Sequence, residues 1–154
     1  MAEGEDGSTG DPWWETADIH ENARRTARSM DEILNQGEVA AVEEYHREDL
    51  AYFRSSDEQE GRAGLKDDVR MFLTAFPDMT TTVQDVFADG DGTHVSLRYT
   101  VEGTHTGTFE NIPPTGRDMT ASGIGIVVYD GAKIGEFSLV FDNLGMLRDL
   151  GLIE

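Results

Sequence analysis

The stretch "THVSLRYTVEG", residues 93–103, decides the fold class of this chain of 154 residues. Its side chains alternate between an apolar face and a mostly polar one. The apolar face holds Val95, Leu97, Tyr99 and Val101, and the other holds His94, Ser96, Arg98 and Thr100. Such alternation is typical of a β-strand that packs one face on a core. The tight turn "DGDG" at 89–92 precedes it, and "MTTTVQDVFA" at 79–88 reads as another strand.

The residues before and after Pro77 differ in the spacing of their apolar side chains. After Pro77, further strands are predicted over 118–130 and 134–141, and a short helix over 142–151 with Leu144, Leu147 and Leu150 inward. Before Pro77, apolar residues recur at helical spacing over 16–36, at Val39, Val42 and Tyr45, and over 62–76, with a short strand at 50–53. Asp18 and Glu21 resemble a capping box for the first helix. Helices followed by antiparallel strands indicate an α+β fold.

Length and composition favour one globular domain over 13–154, preceded by a disordered acidic tail over 1–12. The chain has no cysteine, which excludes disulfides and thiolate metal sites. It also has no apolar run of membrane-spanning length and no secretory signal. A cytoplasmic protein is therefore expected, without a membrane partner.

The formal net charge is −19, from 31 Asp and Glu against 12 Lys and Arg. Such a surface repels nucleic-acid phosphates, so no nucleic-acid partner is expected. One interpretation is an acidic module that binds a partner. The favoured interpretation is adaptation to a salt-rich, halophilic cytoplasm, because the acids are spread along the whole chain and only two residues are lysine. Concentrated salt screens charge over a few ångströms and makes such a surface tolerable.

Several kinds of chemistry find no support in the motifs. The four histidines do not have metal-ligand spacing with one another, so no metal site is expected. There is no GxSxG elbow, no GxGxxG after a strand and no Walker sequence. We therefore expect no cofactor.

Three polar residues remain as candidates for a site. Asp142 follows the apolar run "FSLVF" and precedes an apolar helix, so it is either an N-cap or a carboxylate at the mouth of an apolar cavity. Arg98 would pair with a surface carboxylate, or orient Asp142 or a substrate carbonyl. His105 lies in the stretch "GTHTGTFENIPPTG" at 103–116, which is either a connection between strands or the rim of a site.

The C-terminal half carries a family resemblance. The pieces "FPD", "GTHTG", "IPPTG", "SGI", "DGAKI" and "FDNLGMLRDLG" occur in the order found in the SnoaL-like polyketide cyclases, or ester cyclases, of the NTF2-like superfamily. The chain resembles this family well over 76–151, and the helices from about 18 to 76 agree in layout. The resemblance implies an NTF2-like cone, in which a curved, mostly antiparallel sheet wraps around three N-terminal helices and encloses an apolar pocket.

The resemblance also implies a reaction and a site. Characterised members close a ring by a cofactor-free intramolecular aldol condensation, and their acid/base Asp maps onto Asp142. Arg98 and His105 become candidates for polar contacts with the substrate, and Tyr52, Phe72 and Tyr99 become candidates for the aromatic lining of the pocket. Homodimers through the outer sheet face are common in the family. The expected function is thus a cyclase- or isomerase-type enzyme acting on a small hydrophobic carbonyl or ester compound.

Two other functions stay open at this point. The same fold is also consistent with a non-catalytic module that binds a small hydrophobic ligand or serves as a dimeric scaffold, in which case Asp142 would cap the last helix. A hydrolase acting on epoxides or similar compounds would need a carboxylate pair with Arg or a water-holding Asn deep in the cone, and no Asp-Arg-Asp arrangement on one strand face supports it.

Overall fold

The computed structural model describes residues 10–154. Most of the predicted acidic tail, residues 1–9, lies outside the described residues. The described residues form five α-helices in chain order: α1 Trp13–Thr16, α2 Glu21–Met30, α3 Val42–Tyr45, α4 Gly61–Ala75 and α5 Asn143–Asp149. A π-helical turn, Asp31–Asn35, extends α2, and a 3₁₀ turn, Val39–Ala41, leads into α3. Between residues 10 and 154, no helix is long and apolar enough to cross a membrane.

In the part of the chain from residue 10 onward, six strands form a single sheet. They are β1 His46–Arg54, β2 Asp57–Glu58, β3 Thr80–Ala88, β4 His94–Thr104, β5 Asp118–Asp130 and β6 Lys133–Phe141. Their order across the sheet is β2-β1-β6-β5-β4-β3. All neighbours are antiparallel except β1 and β6, which are parallel. The predicted α+β class is thereby confirmed.

The alternation seen in the sequence sets the two faces of the curved sheet. On β5, the odd-numbered residues from Ala121 to Tyr129 are buried, and the even-numbered ones are exposed except for the half-buried Val128. The buried side is concave and is covered by α2 and α4. Helix α2 contributes the fully buried Ala23 and Ala27, and α4 contributes Leu65 and Val69.

Two local predictions are wrong. Helix α2 begins at Glu21 rather than near Thr16, because Nδ1 of His20 accepts the Asn22 backbone N–H at 2.9 Å and so provides the N-cap in place of the Asp18–Glu21 box. In α5, Leu144 is exposed, and Met146 together with Leu150 faces the core. The apolar spacing was compatible with either face, and the packing against β5 selects the one with Met146.

Candidate active site

A cavity of about 320 Å³ lies between the concave face of the sheet and the helices α2 and α4. Apolar side chains form most of its wall, including Met30 and Ile33 from the end of α2, Leu97 from β4 and Phe137 from β6. Its polar residues fall into two groups. One group is buried at the inner end, and the other lies at the mouth, where the side chains are partly exposed. The cavity is therefore a water-poor space with polar groups at its two ends.

The three aromatic residues predicted to line a pocket lie in this wall. Tyr52 from β1 stacks on Phe137 with 5.7 Å between ring centroids. Phe72 from α4 and Tyr99 from β4 both contact the ring of Phe141, at 5.6 Å and 6.4 Å. These contacts fix the rings, so the wall is preformed and presents flat aromatic surface to a ligand.

At the mouth, a carboxylate is held by two neighbours. The hydroxyl of Tyr52 donates a hydrogen bond of 2.7 Å to Oδ2 of Asp68, and Nε of Arg54 lies 3.1 Å from the same oxygen. Asp68 lies on α4, and only 18% of its side chain is exposed. Within residues 10–154, Oδ1 of Asp68 has no hydrogen-bond partner. The carboxylate is thus fixed through one oxygen and presents the other without a donor.

The buried phenols near the cavity stay protonated at neutral pH. Burial raises the pKa of Tyr99 to about 12. Burial, followed by the hydrogen bond to Asp68, raises the pKa of Tyr52 well above the usual value for a phenol. Both tyrosines are therefore hydrogen-bond donors rather than bases.

The inner end of the cavity is lined by the buried residues His46, Thr26 and Ser29. His46 is the first residue of β1 and is 3% exposed. Nδ1 lies 2.9 Å from the carbonyl of Val42, so the proton of the neutral ring is on Nδ1. Burial lowers the pKa of His46 to about 4. The ring is therefore neutral at pH 7, and its Nε2 is an acceptor.

In the structure, Asp142 has the first of the two orientations that the sequence left open, that of a helix N-cap. Its Oδ1 accepts the backbone N–H of Gly145 at 2.9 Å, which makes it the N-cap of α5, and the residue is exposed. Phe141 and Asn143, on either side of it, line the cavity, whereas Asp142 does not. The alternation along β6 turns Asp142 away from the concave face. Its predicted catalytic role stays a prediction.

Arg98 and His105, the two predicted polar contacts, also lie outside the cavity lining. Arg98 is on the convex face of β4, where Nε donates to Oδ2 of Asp85 at 2.7 Å across to β3. Its partner is thus a surface carboxylate. His105 is fully buried, and its Nδ1 accepts the backbone N–H of Thr115 at 3.2 Å. It holds the 103–116 stretch together, because its own backbone also bonds to Gly116 and Arg117.

Sequence reasoning missed Asp68 and His46. Asp68 lies three residues after Leu65 and four before Phe72, so the helical spacing that defines the inward face of α4 includes it. His46 lies in phase with Tyr52 on β1, but it precedes the strand predicted from "LAYF", and a register shift separates it from Ala51. The helical spacing that includes Asp68 can be found in the sequence, whereas the position of His46 at the start of β1 is known only from the structure. Across residues 10–154, no group of three or more His, Asp or Glu side chains is arranged to hold a metal ion.

Comparisons with solved structures show the same fold in bacterial proteins. AclR from Streptomyces galilaeus, a candidate hydroxylase, is 25% identical with a TM-score of 0.76, and the match covers 86% of this chain and 87% of AclR. IdmH from Streptomyces antibioticus, a candidate polyketide cyclase, is 26% identical with a TM-score of 0.74, covering 86% and 99%. A candidate polyketide cyclase from Acidithiobacillus ferrooxidans is 24% identical with a TM-score of 0.71, covering 88% and 98%.

A comparison with curated proteins found no match. The profile of the family "SnoaL-like polyketide cyclase" matches residues 24–150, which include α4, the whole sheet and the cavity between them. With the helices, the sheet order and the motifs of the C-terminal half, this match identifies the chain as a member of the SnoaL-like polyketide cyclase family.

Proposed function

We propose that this protein catalyses a cofactor-independent cyclisation or isomerisation of a small hydrophobic carbonyl or ester compound in the cavity, with Asp68 as the general acid/base. Membership of the SnoaL-like family supports a cyclase- or isomerase-type role. The observation that carries the residue assignment is the carboxylate of Asp68, whose Oδ2 is held by Tyr52 and Arg54 while Oδ1 has no partner in the described chain. A fixed base beside an apolar binding surface is suited to removing a proton from carbon.

The reaction needs only groups of this chain and of the substrate. Oδ1 of Asp68 takes a proton from the carbon next to a carbonyl, and the electron pair of that C–H bond moves into an enolate. In a cyclisation, the enolate carbon attacks a second carbonyl of the same molecule, and Asp68 returns its proton to the new alkoxide. In an isomerisation, the proton returns to a different carbon. Arg54, with N–H groups not bound to Asp68, is placed to stabilise the enolate oxygen.

Asp142 is the second candidate for the acid/base, on the strength of the family motif. This assignment requires the first turn of α5 to rearrange, because Asp142 caps that helix and faces solvent in the structure. Its neighbours Phe141 and Asn143 line the cavity, so a local rearrangement would bring its carboxylate to the mouth.

The two assignments are separated by a matched pair of variants, Asp68→Asn and Asp142→Asn. Each removes one negative charge and keeps the shape of the side chain, and Asn is as good an N-cap as Asp. The assay is deuterium exchange at the acidic carbon of 2-tetralone and of ethyl benzoylacetate, followed by proton NMR in D₂O. We expect Asp68→Asn to lower the exchange rate by about 10²–10⁴-fold and Asp142→Asn to change it less than about threefold.

Three outcomes would contradict this proposal in different ways. The reverse pattern would assign the reaction to Asp142. An exchange rate equal to that of the wild type in both variants would exclude both carboxylates as the general acid/base. A wild-type protein that binds these compounds without accelerating exchange would favour the non-catalytic binding module.

We also propose that the protein is a homodimer joined through a convex apolar patch, formed by Phe87, Ile124, Ile126 and Val140. All four are 43% to 61% exposed. Ile124 is paired with Val140 across β5 and β6, and Ile126 lies in the next row of the same face. Phe87 lies in the same cross-strand row as Ile126, with Ser96 of β4 between them. An exposed apolar patch of this kind is typical of an interaction site. A second copy is the occupant that the family resemblance implies.

The dimer is tested with Ile124→Glu against Leu144→Glu. Leu144 is 59% exposed, close to the 57% of Ile124, but it lies on α5. Light scattering after size exclusion in about 1 M KCl, where repulsion between two acidic chains is screened, should show a dimer for the wild type and Leu144→Glu and a monomer for Ile124→Glu. A monomeric wild type under these conditions would refute the interface.

A further inference from the structure

The inner end of the cavity combines three buried polar side chains whose protons are all used within the protein. Thr26 donates its hydroxyl proton to the carbonyl of Asn22 at 2.8 Å, and Ser29 donates to the carbonyl of Thr26 at 2.7 Å. The Nδ1 proton of His46 is directed at the carbonyl of Val42. All three residues line the cavity. This end therefore offers lone pairs to a ligand and no proton.

Among these acceptors, Nε2 of His46 and Oγ of Ser29 have no donor in the described chain. Thr26 Oγ1 already lies 2.9 Å from the hydroxyl of Tyr129, and that phenol is the donor because the Thr26 proton is on Asn22. A neutral imidazole nitrogen is a stronger acceptor than a hydroxyl oxygen. Because His46 lines the cavity, a ligand donor is expected to bind its Nε2 in preference to Oγ of Ser29.

We infer that the inner end of the cavity binds a hydroxyl group of the ligand, which donates its proton to Nε2 of His46. A carbonyl or carboxylate at this end would face only lone pairs, so it is disfavoured. The mouth has the opposite character, because Nη1 of Arg54 has no partner in the described chain and can donate to a carbonyl oxygen, while Nη2 donates to Gln59 and Nε lies on Asp68. The preferred ligand thus has a hydroxyl at its inner end and its reactive carbonyl at the mouth. This inference deepens the proposed function, since it depends on the cavity being the ligand site.

The test uses two bicyclic aromatic probes that differ in one hydrogen-bond donor, 2-naphthol and 2-methoxynaphthalene. Their dissociation constants are measured at pH 7 by fluorescence titration for the wild type and for His46→Asn and His46→Gln. Asn places an amide near the position of Nδ1 and can still donate to Val42, but it lacks any atom at the position of Nε2. Gln reaches that position and offers a carbonyl oxygen as acceptor. Thermal melts by circular dichroism check that both variants are folded.

We expect the wild type to bind 2-naphthol about five- to tenfold more tightly than 2-methoxynaphthalene, as one net hydrogen bond allows. His46→Asn should reduce this ratio to about one, and His46→Gln should keep part of it. The inference is overturned if the wild type shows no preference, or if the preference survives in His46→Asn and disappears in Asp68→Asn, which would place the hydroxyl at the mouth. Because the readout is binding, it can succeed even where the exchange assay shows no catalysis.

Discussion

The concave and convex faces of the same sheet have opposite properties, although they are built from neighbouring residues. On β4, Tyr99 lines the cavity, while Arg98 beside it pairs with Asp85 on the outside. At the end of β6, Phe141 lines the cavity, while Asp142 beside it caps α5 in contact with solvent. One residue along the chain thus decides whether a side chain can meet a ligand.

The two faces differ in the properties that favour chemistry and in those that favour association with another chain. On the concave face, a hydrogen bond from Tyr52 restrains Asp68, and the carbonyl of Val42 restrains His46. The convex face combines an exposed ion pair with the convex apolar patch. Restraint and burial favour chemistry on the inside, and exposed apolar area favours association on the outside.

The largest expected difference between the faces is in packing on β6. Phe137→Ala should lower the free energy of unfolding by about 3–5 kcal/mol, because it removes a buried ring that stacks on Tyr52 and enlarges the cavity. Val140→Ala, on the convex side of the same strand, should cost less than about 0.5 kcal/mol in the monomer. Urea unfolding followed by tryptophan fluorescence measures both.

The association state provides the control for this comparison. If a dimer covers Val140, the cost of Val140→Ala should rise with protein concentration, whereas the cost of Phe137→Ala should be largely independent of it. A cost for Phe137→Ala below about 1 kcal/mol would mean that the concave wall is loosely packed, against the contacts described for it.

The next effect is a pH dependence that arises inside the cavity. Burial lowers the pKa of His46 from about 6.5 in the unfolded chain to about 4 in the fold, and the charges of Arg62 and Lys133 act in the same direction. Between these values the unfolded state binds a proton that the folded state does not, so stability falls as pH falls from 6.5 towards 4. From pH 7 to pH 5 this contribution amounts to about 2 kcal/mol.

The variant His46→Asn isolates this contribution, since it keeps the hydrogen bond to Val42 and removes the titrating group. The free energy of unfolding of the wild type relative to this variant should drop by about 2 kcal/mol between pH 7 and pH 5. Parallel pH profiles for the two proteins would show that His46 takes up its proton as easily in the fold as in the unfolded chain.

The sequence predicted the sheet much better than the site, for a physical reason. Strand β5 runs over 118–130 as predicted, because a period of two over a long strand leaves little freedom in register. Tyr52, Phe72 and Tyr99 were candidates for the lining on the family resemblance, and all three line the cavity. The motif predicted a catalytic role for Asp142. Phe141 lines the cavity, so the alternation along the chain turns the next residue, Asp142, to the outside. His46 depends on the fold of the chain at the start of β1, which local spacing does not contain.

The smallest expected effect concerns charge on the convex face, and it has opposite signs for the pair and for the whole chain. A double-mutant cycle with Arg98→Ala and Asp85→Ala should give a coupling of about 0.2–1 kcal/mol at low salt, because both side chains are about half exposed. In about 1 M KCl the coupling should become smaller, since the screening length falls to about 3 Å.

The whole protein should become more stable over the same range, because salt also screens the repulsion among the charges that give a net −19. We propose on this ground that the chain is adapted to a salt-rich cytoplasm. The adaptation would be contradicted by a far-UV circular dichroism signal and a melting temperature that both stay constant from dilute buffer to high KCl. That result would not bear on the coupling between Arg98 and Asp85.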